Sequence, residues 1–391
     1  MPARPTWAEV SLSVLRHNYR TIVDRVAPSS VCAVVKCDAY GHGVVECSHA
    51  LEAEGATWLG VTSAEEAARL RDAGIGCRIL VMAGVWRGEE DTVVRHQLTP
   101  IVWLSEQIER LNRAARGQRC RKKLPVHLKV DTGMGRLGVP LAEVEDMARR
   151  IAASECLCLE GVCTHMASSE VLDSEPAHVQ VARFRQVLEV LRKAGIEPIW
   201  RHMANTAAIE GRPNTWNNLV RPGLALYGYK PPLVGNGEPG EPAPSATLSV
   251  APVLAWKTRI ISLRQFPPGQ AIGYGGSYVT NAPSRIAVLA VGYGDGFRRA
   301  MSNQGRVIVG DHYAPVVGTI SMDLTTIDVS LIPGVEVGDQ VLLLGRSEHC
   351  SVTAEDHARW TGTIPYEITC GIAPRVQRIY SGAGAGGKSL P

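Results

Sequence analysis

The sequence predicts an α/β protein: an N-terminal (β/α)8 TIM-type barrel followed by a mainly β C-terminal domain. Three observations lead there. Short apolar runs alternate with amphipathic helical segments between residues 31 and 223. Beyond a Pro/Gly-rich stretch the texture changes to β-branched runs separated by turns. The 391 residues also suffice for a barrel, which takes about 250 residues, and a smaller second domain.

The apolar runs are VCAVVK (31–36), TWLGVT (57–62), CRILVMAG (77–84), LTPIVW (98–103), VHLKVD (126–131), LEGVCTH (159–165), WRHMAN (200–205) and NLVRPG (218–223). Their length and lack of alternation fit strands buried on both faces, as in a parallel sheet. The intervening segments SAEEAARLRDAG, SEQIERLNRAARG and PAHVQVARFRQVLEVLRKAG show helical spacing, a polar or Pro start and a Gly stop. Regular strand–helix alternation fits a barrel better than a doubly wound sheet. PPLVGNGEPGEPAP (231–244) reads as a linker or exposed loop. After it come LSVAPVLAWKTRIISL, RIAVLAVGYG, GRVIVGDHYAPVVG, LTTIDVS and QVLLLG, strand-like runs of a second domain. The expected division is residues 1–238 for the barrel and 245–391 for the β domain, with the first residues able to pair with the second domain.

Composition narrows the function. With 45% hydrophobic and 20% charged residues the chain is globular rather than disordered. Its 41 Lys and Arg against 38 Asp and Glu leave a net charge of +3, too small to signal a nucleic-acid or membrane partner. No apolar run is long enough to span a bilayer and the N-terminus lacks a signal-peptide pattern, so a cytoplasmic location is expected. Ten cysteines without a C-x-x-C pair give no metal site and read as reduced thiols. A small-molecule substrate is the default.

Chemically useful residues fall at the C-terminal ends of the expected strands, where a barrel gathers its loops into an active site. They are Lys36, Lys129 and Asp131 with Arg136 beyond, His165, His202 with Asn205, and Arg221. Lys36 ends an apolar strand, where burial favours the neutral amine that forms a Schiff base. Taken alone, a lysine there is more often one reaching out of the barrel mouth. Tyr40 follows in AYGHG, and HMANT (202–206) and VRPGLALYG (220–228) end the last two strands, the usual phosphate site of such barrels. A lysine strand opposite a phosphate cradle suggests pyridoxal phosphate.

At this point the motifs VVKCDAYGHG, KVDTGMGRLG, HMANT, RPGLALYG, GYGGSY, GYGDG, SMDLT and YEITCGIAPRVQR, in this order over residues 7–380, resemble those of the alanine racemases, barrel enzymes that use pyridoxal phosphate. The resemblance implies that Lys36 holds the cofactor and acts as base on the D-enantiomer. It implies that Tyr274 is the opposite base, delivered from the second subunit of a homodimer, with His165 and Arg221 as the cations that assist it. Arg221 would face the cofactor's ring nitrogen without giving up its proton. Arg136 would contact the phenolic oxygen and the substrate carboxylate, and Met322 would offer its N–H to that carboxylate from the partner. Tyr40, His165, Asn205, Thr206, Gly223, Leu224 and Tyr366 would complete the cofactor site. Lys129 is either carbamylated, as an anion that fixes Arg136, or unmodified and paired with Asp131. The implied reaction interconverts L- and D-alanine, supplying D-alanine for peptidoglycan. Tyr366 favours alanine, since relatives that accept larger substrates carry a smaller residue there.

The chain departs from the family pattern at Cys37-Asp38, where Ala-Asn is more common, at Thr206, where serine is usual, and at Ser321, where many members have cysteine. Other readings compete. GMGRLG (133–138) fits G-x-G-x-x-G and so a dinucleotide-binding dehydrogenase, but it sits at the fifth strand with an arginine inside it. A non-enzymatic pyridoxal phosphate protein would not need the β domain. A decarboxylase, or a racemase of serine or another amino acid, remains within the same class.

Overall fold

The computed structural model describes residues 4–118, 122–235 and 248–382. Cys120 and most of the Pro/Gly-rich stretch, with the expected boundary between 238 and 245, lie outside them. The chain divides into two compact units: Leu15–Ala39 with Val44–Ala251, and Met1–Val14 with Tyr40–Gly43 and Pro252–Pro391. The first strand, β1 (Thr6–Ser11), belongs to the second unit.

The first unit holds β2 (Ser30–Val34), β3 (Trp58–Val61), β4 (Arg78–Val81), β5 (Thr99–Val102), β6 (Leu124–Lys129), β7 (Leu157–Cys163), β8 (Trp200–His202) and β9 (Leu219–Val220). All eight apolar runs therefore form strands. They make one parallel eight-stranded sheet in the order β8-β7-β6-β5-β4-β3-β2-β9. Its ends meet where Asn218 N–H donates to Arg201 O at 3.4 Å and Arg221 N–H to Ala204 O at 3.0 Å, closing the barrel.

The helices follow their sequence signals. Ser63 caps Ala64–Asp72 by accepting from Glu66 N–H, and Gly74 lies beyond its end at φ +89°. Ser174 caps Glu175–Lys193, which has Pro176 in its first turn and Gly195 beyond its end at φ +72°. The helix Ser105–Gly117 differs, for it runs into its glycine. The barrel is filled by Cys32, Trp58, Leu80, Ile101, Cys163 and Leu219, one from each of six strands.

The second unit is built on a nine-stranded sheet. Its strands are β1, β10 (Leu254–Phe266), β13 (Ser284–Leu289), β14 (Arg306–Val309), β15 (His312–Pro315), β16 (Thr325–Asp328), β17 (Gln340–Arg346), β18 (Ser351–Val352) and β19 (Gln377–Ser381), with β11 (Ala271–Ile272) and β12 (Tyr278–Val279) forming a separate hairpin. Strand β1 lies between β10, to which it is antiparallel, and β19, to which it is parallel. Thr6 anchors it: its hydroxyl lies 2.6 Å from Ala290 O and 2.8 Å from the Thr258 hydroxyl. Among the described residues no helix is long and apolar enough to cross a membrane.

Trp58 is 1% exposed and touches neighbours on several strands. Trp58→Ala is expected to cost about 3–5 kcal/mol, read as a lower urea midpoint in chemical denaturation.

Candidate active site

The first unit brings Lys36, Lys129, His165, His202 and Arg221 to the C-terminal ends of its strands. Lys129 and His202 are the last residues of β6 and β8, Arg221 follows β9 directly, and Lys36 and His165 stand two residues past β2 and β7. The chain after Lys36 is unusual: Cys37, Asp38, Ala39 and Tyr40 have φ between 52° and 55°, a left-handed turn made without glycine. Each such residue costs roughly 1–2 kcal/mol. Local bonds hold the turn, with Glu66 Oε1 accepting from Cys37 N–H at 2.7 Å and Asp38 Oδ1 from Val44 N–H at 2.9 Å.

Arg221 is the centre of the cluster. It is 7% exposed and has no carboxylate in ion-pair reach among the described residues. Its Nη1 donates to His202 Nδ1 at 2.6 Å, and its Nη2 donates to Thr164 O at 2.9 Å and lies 3.4 Å from His165 Nδ1. Its Nε–H has no hydrogen-bond partner among the described residues. Burial pushes the His165 imidazole down to about 3, and Arg221, Lys129, Arg136 and Lys36 push the same way. His202 also lies well below its usual range, through burial first and Arg221 second. Of the two cations expected beside the tyrosine base, then, Arg221 is charged at neutral pH and His165 is a neutral imidazole.

Four cations thus act on one neutral histidine, and of these Arg221 has no carboxylate in ion-pair reach among the described residues while Lys129 has Asp131 nearby. That donor set fits an anionic cofactor, and the open Nε–H of Arg221 fits an acceptor such as a pyridine nitrogen.

The loops after β8 and β9 supply a second kind of donor. Asn205 caps Thr206–Gly211 by accepting from Ala208 N–H at 3.1 Å. The Thr206 hydroxyl accepts from Gly223 N–H at 3.1 Å and Ala225 N–H at 3.4 Å. Both its lone pairs are then engaged, which leaves its O–H to donate outward, as a phosphate requires. Gly223 serves this cradle by orienting Thr206 rather than by leaving its own amide open, and Leu224 begins the turn Leu224–Tyr227 beside it.

The loop carrying Arg136 is shaped by Asp131, whose Oδ1 accepts from Gly133 and Met134 N–H at 2.9 Å and Gly135 N–H at 3.1 Å. Burial alone would raise the Asp131 carboxyl, but these donors outweigh it and hold it below the usual range. Gly133, Gly135 and Gly138 have positive φ, and a Cβ on Gly138 would stand 2.4 Å from Asp131 N. GMGRLG therefore builds a closed turn whose amides are spent on Asp131, not a phosphate-binding nest, and the dinucleotide reading loses its basis. The Lys129–Asp131 ion pair is not formed among the described residues. Lys129 is 9% exposed, and burial, then Arg221 and Arg136, lower its pKa.

The second unit carries the other expected residues. Tyr40 is buried and its ring lies 5.9 Å from that of Tyr366. Gly41 makes this approach possible, since a Cβ there would stand 2.1 Å from Thr369 O. Tyr274 sits at the tip of the β11–β12 hairpin, 73% exposed, between Gly273, Gly275 and Gly276, all at positive φ. Met322 is also exposed, and its carbonyl accepts from Gly294 N–H at 2.8 Å, which ties SMDLT to GYGDG. Nine of the ten cysteines are described, all without disulfides. Cys32, Cys47 and Cys163 are buried and Cys37 is exposed.

His127 and Glu160, neither of them at a strand end, also join this cluster. His127 Nδ1 lies 2.8 Å from His202 Nε2, and Glu160 stands behind it. The signal for this in the sequence is a histidine inside the apolar run VHLKVD.

Comparison with known proteins agrees with this geometry. Residues 10–231 match the family model of the alanine racemase N-terminal domain, and residues 253–380 that of the alanine racemase C-terminal domain. The alanine racemase of Halothermothrix orenii is 40% identical over 380 residues, covering 96% of this chain and 97% of its own. That of Geobacter sulfurreducens is 39% identical, covering 97% and 98%. Among solved structures, the alanine racemase from D-cycloserine producing Streptomyces lavendulae has a TM-score of 0.89 at 33% identity, over 98% of both chains. The alanine racemase from Bartonella henselae with covalently bound pyridoxal phosphate has a TM-score of 0.83 at 29% identity, over 97% of this chain and 100% of its own.

The neutral histidines predict a pH dependence of stability. A histidine depressed on folding, such as His165 at about 3, takes up a proton on unfolding at any pH between that value and its ordinary 6.5. Its contribution is complete above pH 6.5 and is lost as pH falls, at about 1.4 kcal/mol per pH unit. The urea midpoint of the cofactor-free protein should therefore drop steadily below pH 6.5, and replacing His165 with Asn should flatten that slope.

Proposed function

Since the chain belongs to the alanine racemase family, we propose that it interconverts L- and D-alanine with pyridoxal phosphate, using Lys36 and Tyr274 as bases on opposite faces of the substrate. The observation that carries this reading is the geometry of the barrel rim: buried Arg221, held by His202 Nδ1 and Thr164 O with no carboxylate in ion-pair reach among the described residues, and the Thr206 hydroxyl, whose lone pairs are filled by Gly223 and Ala225 N–H. When bound, the cofactor supplies an electron sink that acidifies the α-proton of an amino acid.

The residues divide the remaining work. The ε-amine of Lys36 would hold the cofactor and would serve as the base for the α-proton of D-alanine. The Tyr274 phenol takes the α-proton of L-alanine from the other face. Its exposure on a glycine hairpin suits delivery to a second copy of the chain, so the working form is a homodimer in which Met322 also crosses over, offering its N–H to the substrate carboxylate. Thr206 O–H, Leu224 N–H and Tyr40 hold the phosphate, with Asn205 and Gly223 ordering that cradle. Arg221 would offer Nε–H to the cofactor's ring nitrogen without giving up its proton, which would keep the electron sink weak. Tyr366 packed on Tyr40 narrows the space beside the substrate, which suits a methyl side chain better than serine or larger groups.

Lys129 has a further role. Its neutral amine attacks CO2, forming an N–C bond and releasing a proton to solvent, and the resulting carbamate holds Arg136 by charge-assisted hydrogen bonds. The product D-alanine fits supply to peptidoglycan.

Each assignment has a measurement. In D2O, Tyr274→Phe should lose α-exchange of L-alanine by about 10²–10⁴-fold while D-alanine still exchanges. Normal racemisation by this variant would remove the second base. Lys36→Ala should abolish the visible band of the lysine-linked cofactor. Protein equilibrated with ¹³C-bicarbonate should show a carbamate carbon resonance that Lys129→Gln removes. Its absence from the unmutated protein leaves Arg136 without the anion assigned to it.

A further inference from the structure

We infer that Glu160 is a positioning residue for Arg221, acting from the opposite mouth of the barrel through a directional hydrogen-bond relay formed by His127 and His202. The inference rests on the proposed role of Arg221 only for its effect on racemisation, since the relay is a property of the protein alone.

Direction follows from the guanidinium, which has donors and no acceptor. Arg221 Nη1, 2.6 Å from His202 Nδ1, must donate, so Nδ1 carries no proton. His202 is neutral and its proton is on Nε2. That N–H faces His127 Nδ1 at 2.8 Å and donates to it, so His127 too carries its proton on Nε2. His127 Nε2 then faces Glu160 Oε2 at 3.6 Å, beyond hydrogen-bond length and with no other partner among the described residues, so this last link is electrostatic. The same carboxylate oxygen accepts from Arg78 Nη2. The guanidinium of Arg78 is in turn held over the Trp58 ring, 4.1 Å from its centroid. A cation donates inward from each end, and the anion between them is Glu160.

Two backbone features serve this line. A Cβ on Gly161 would stand 2.6 Å from the His127 ring, so the absence of a side chain there admits the imidazole. Between β6 and β7 the register runs Val126 with Leu159 and then His127 with Gly161, so Glu160 is the extra residue of a bulge. Bulges re-aim a side chain that regular alternation would point elsewhere. Arg78 and Glu160 also line a cavity of 1110 Å³ at the N-terminal ends of the strands, while Arg221 and both histidines are buried. The relay thus joins a solvent-open mouth to the ring-nitrogen donor of the site.

The test uses ¹⁵N-histidine NMR on the cofactor-free full-length protein and kinetics on the holoenzyme. His127 and His202 should both read as neutral Nε2–H tautomers from pH 6 to 9, near and above the usual histidine value of 6.5. Glu160→Gln keeps the shape but removes the charge, and Gly161→Ala displaces the His127 ring. Each should alter the tautomer or shift of both histidines, lower kcat about tenfold with KM for alanine little changed, and move the pH dependence of the bound cofactor's absorption. Glu160→Asp should restore part of the kcat loss. The inference is overturned if either histidine is an Nδ1–H tautomer in the unmutated protein. It is also overturned if Glu160→Gln and Gly161→Ala change the imidazoles yet leave kcat and the absorption profile as they were. Because the NMR result needs no cofactor, failure of the relay and failure of the proposed reaction are distinguishable.

Discussion

A buried guanidinium without a carboxylate beside it is the constraint around which the barrel site is organised. Arg221 cannot shed its proton, so its surroundings must supply acceptors that remain neutral. The carbonyl of Thr164 is one and the unprotonated nitrogen of His202 is another. That requirement spreads outward. It fixes the tautomer of His202, favours the uncharged form of His165, and adds to the burial that weakens the ammonium of Lys129. A buried guanidinium left without a carboxylate suits an acceptor guest, and the Thr206 hydroxyl, with its lone pairs already filled, presents a donor to the same kind of guest.

Much of this was legible in the sequence because the informative residues sit at strand ends. Apolar runs closed by Lys36, Lys129, His165, His202 and Arg221 announce both the strand and the rim. Interior polar residues carry no such marker. His127 reads as one polar letter inside an apolar run, and its partner Glu160 would be assigned to the outside of the barrel by simple alternation, because a bulge cannot be seen in a single strand. The glycines of GMGRLG were ambiguous for a different reason. Positive φ is needed both for a phosphate-binding turn and for a turn closed on an aspartate, and only the position of the Asp131 carboxylate separates them. The left-handed turn after Lys36 could not be anticipated either, since Cys37, Asp38, Ala39 and Tyr40 include no glycine to mark it.

The second unit solves a different problem, that of holding short functional loops without a surrounding barrel. Asp295 is fully buried and gathers Arg4, Arg375 and the Gly292 amide on its two oxygens, at 2.9, 2.8 and 3.0 Å. Arg375 continues to Asp323, next to Met322. The exposed SMDLT turn is thereby tied to the sheet through a charged network rather than through apolar packing, which leaves Met322 and its neighbours uncovered.

The placement of β1 bears on how the protein is made. Its neighbours, β10 and β19, begin at Leu254 and Gln377, so β1 is synthesised long before the partner of one edge, and almost the whole chain before that of the other. The barrel strands between them need no such delay, for β2 through β9 are complete by Val220. Synthesis therefore favours an order in which the barrel closes early while a strand with both edges bare precedes it. The charged and hydroxyl side chains of TWAEVS, among them Thr6 and Glu9, help keep that waiting strand from pairing with the wrong neighbour.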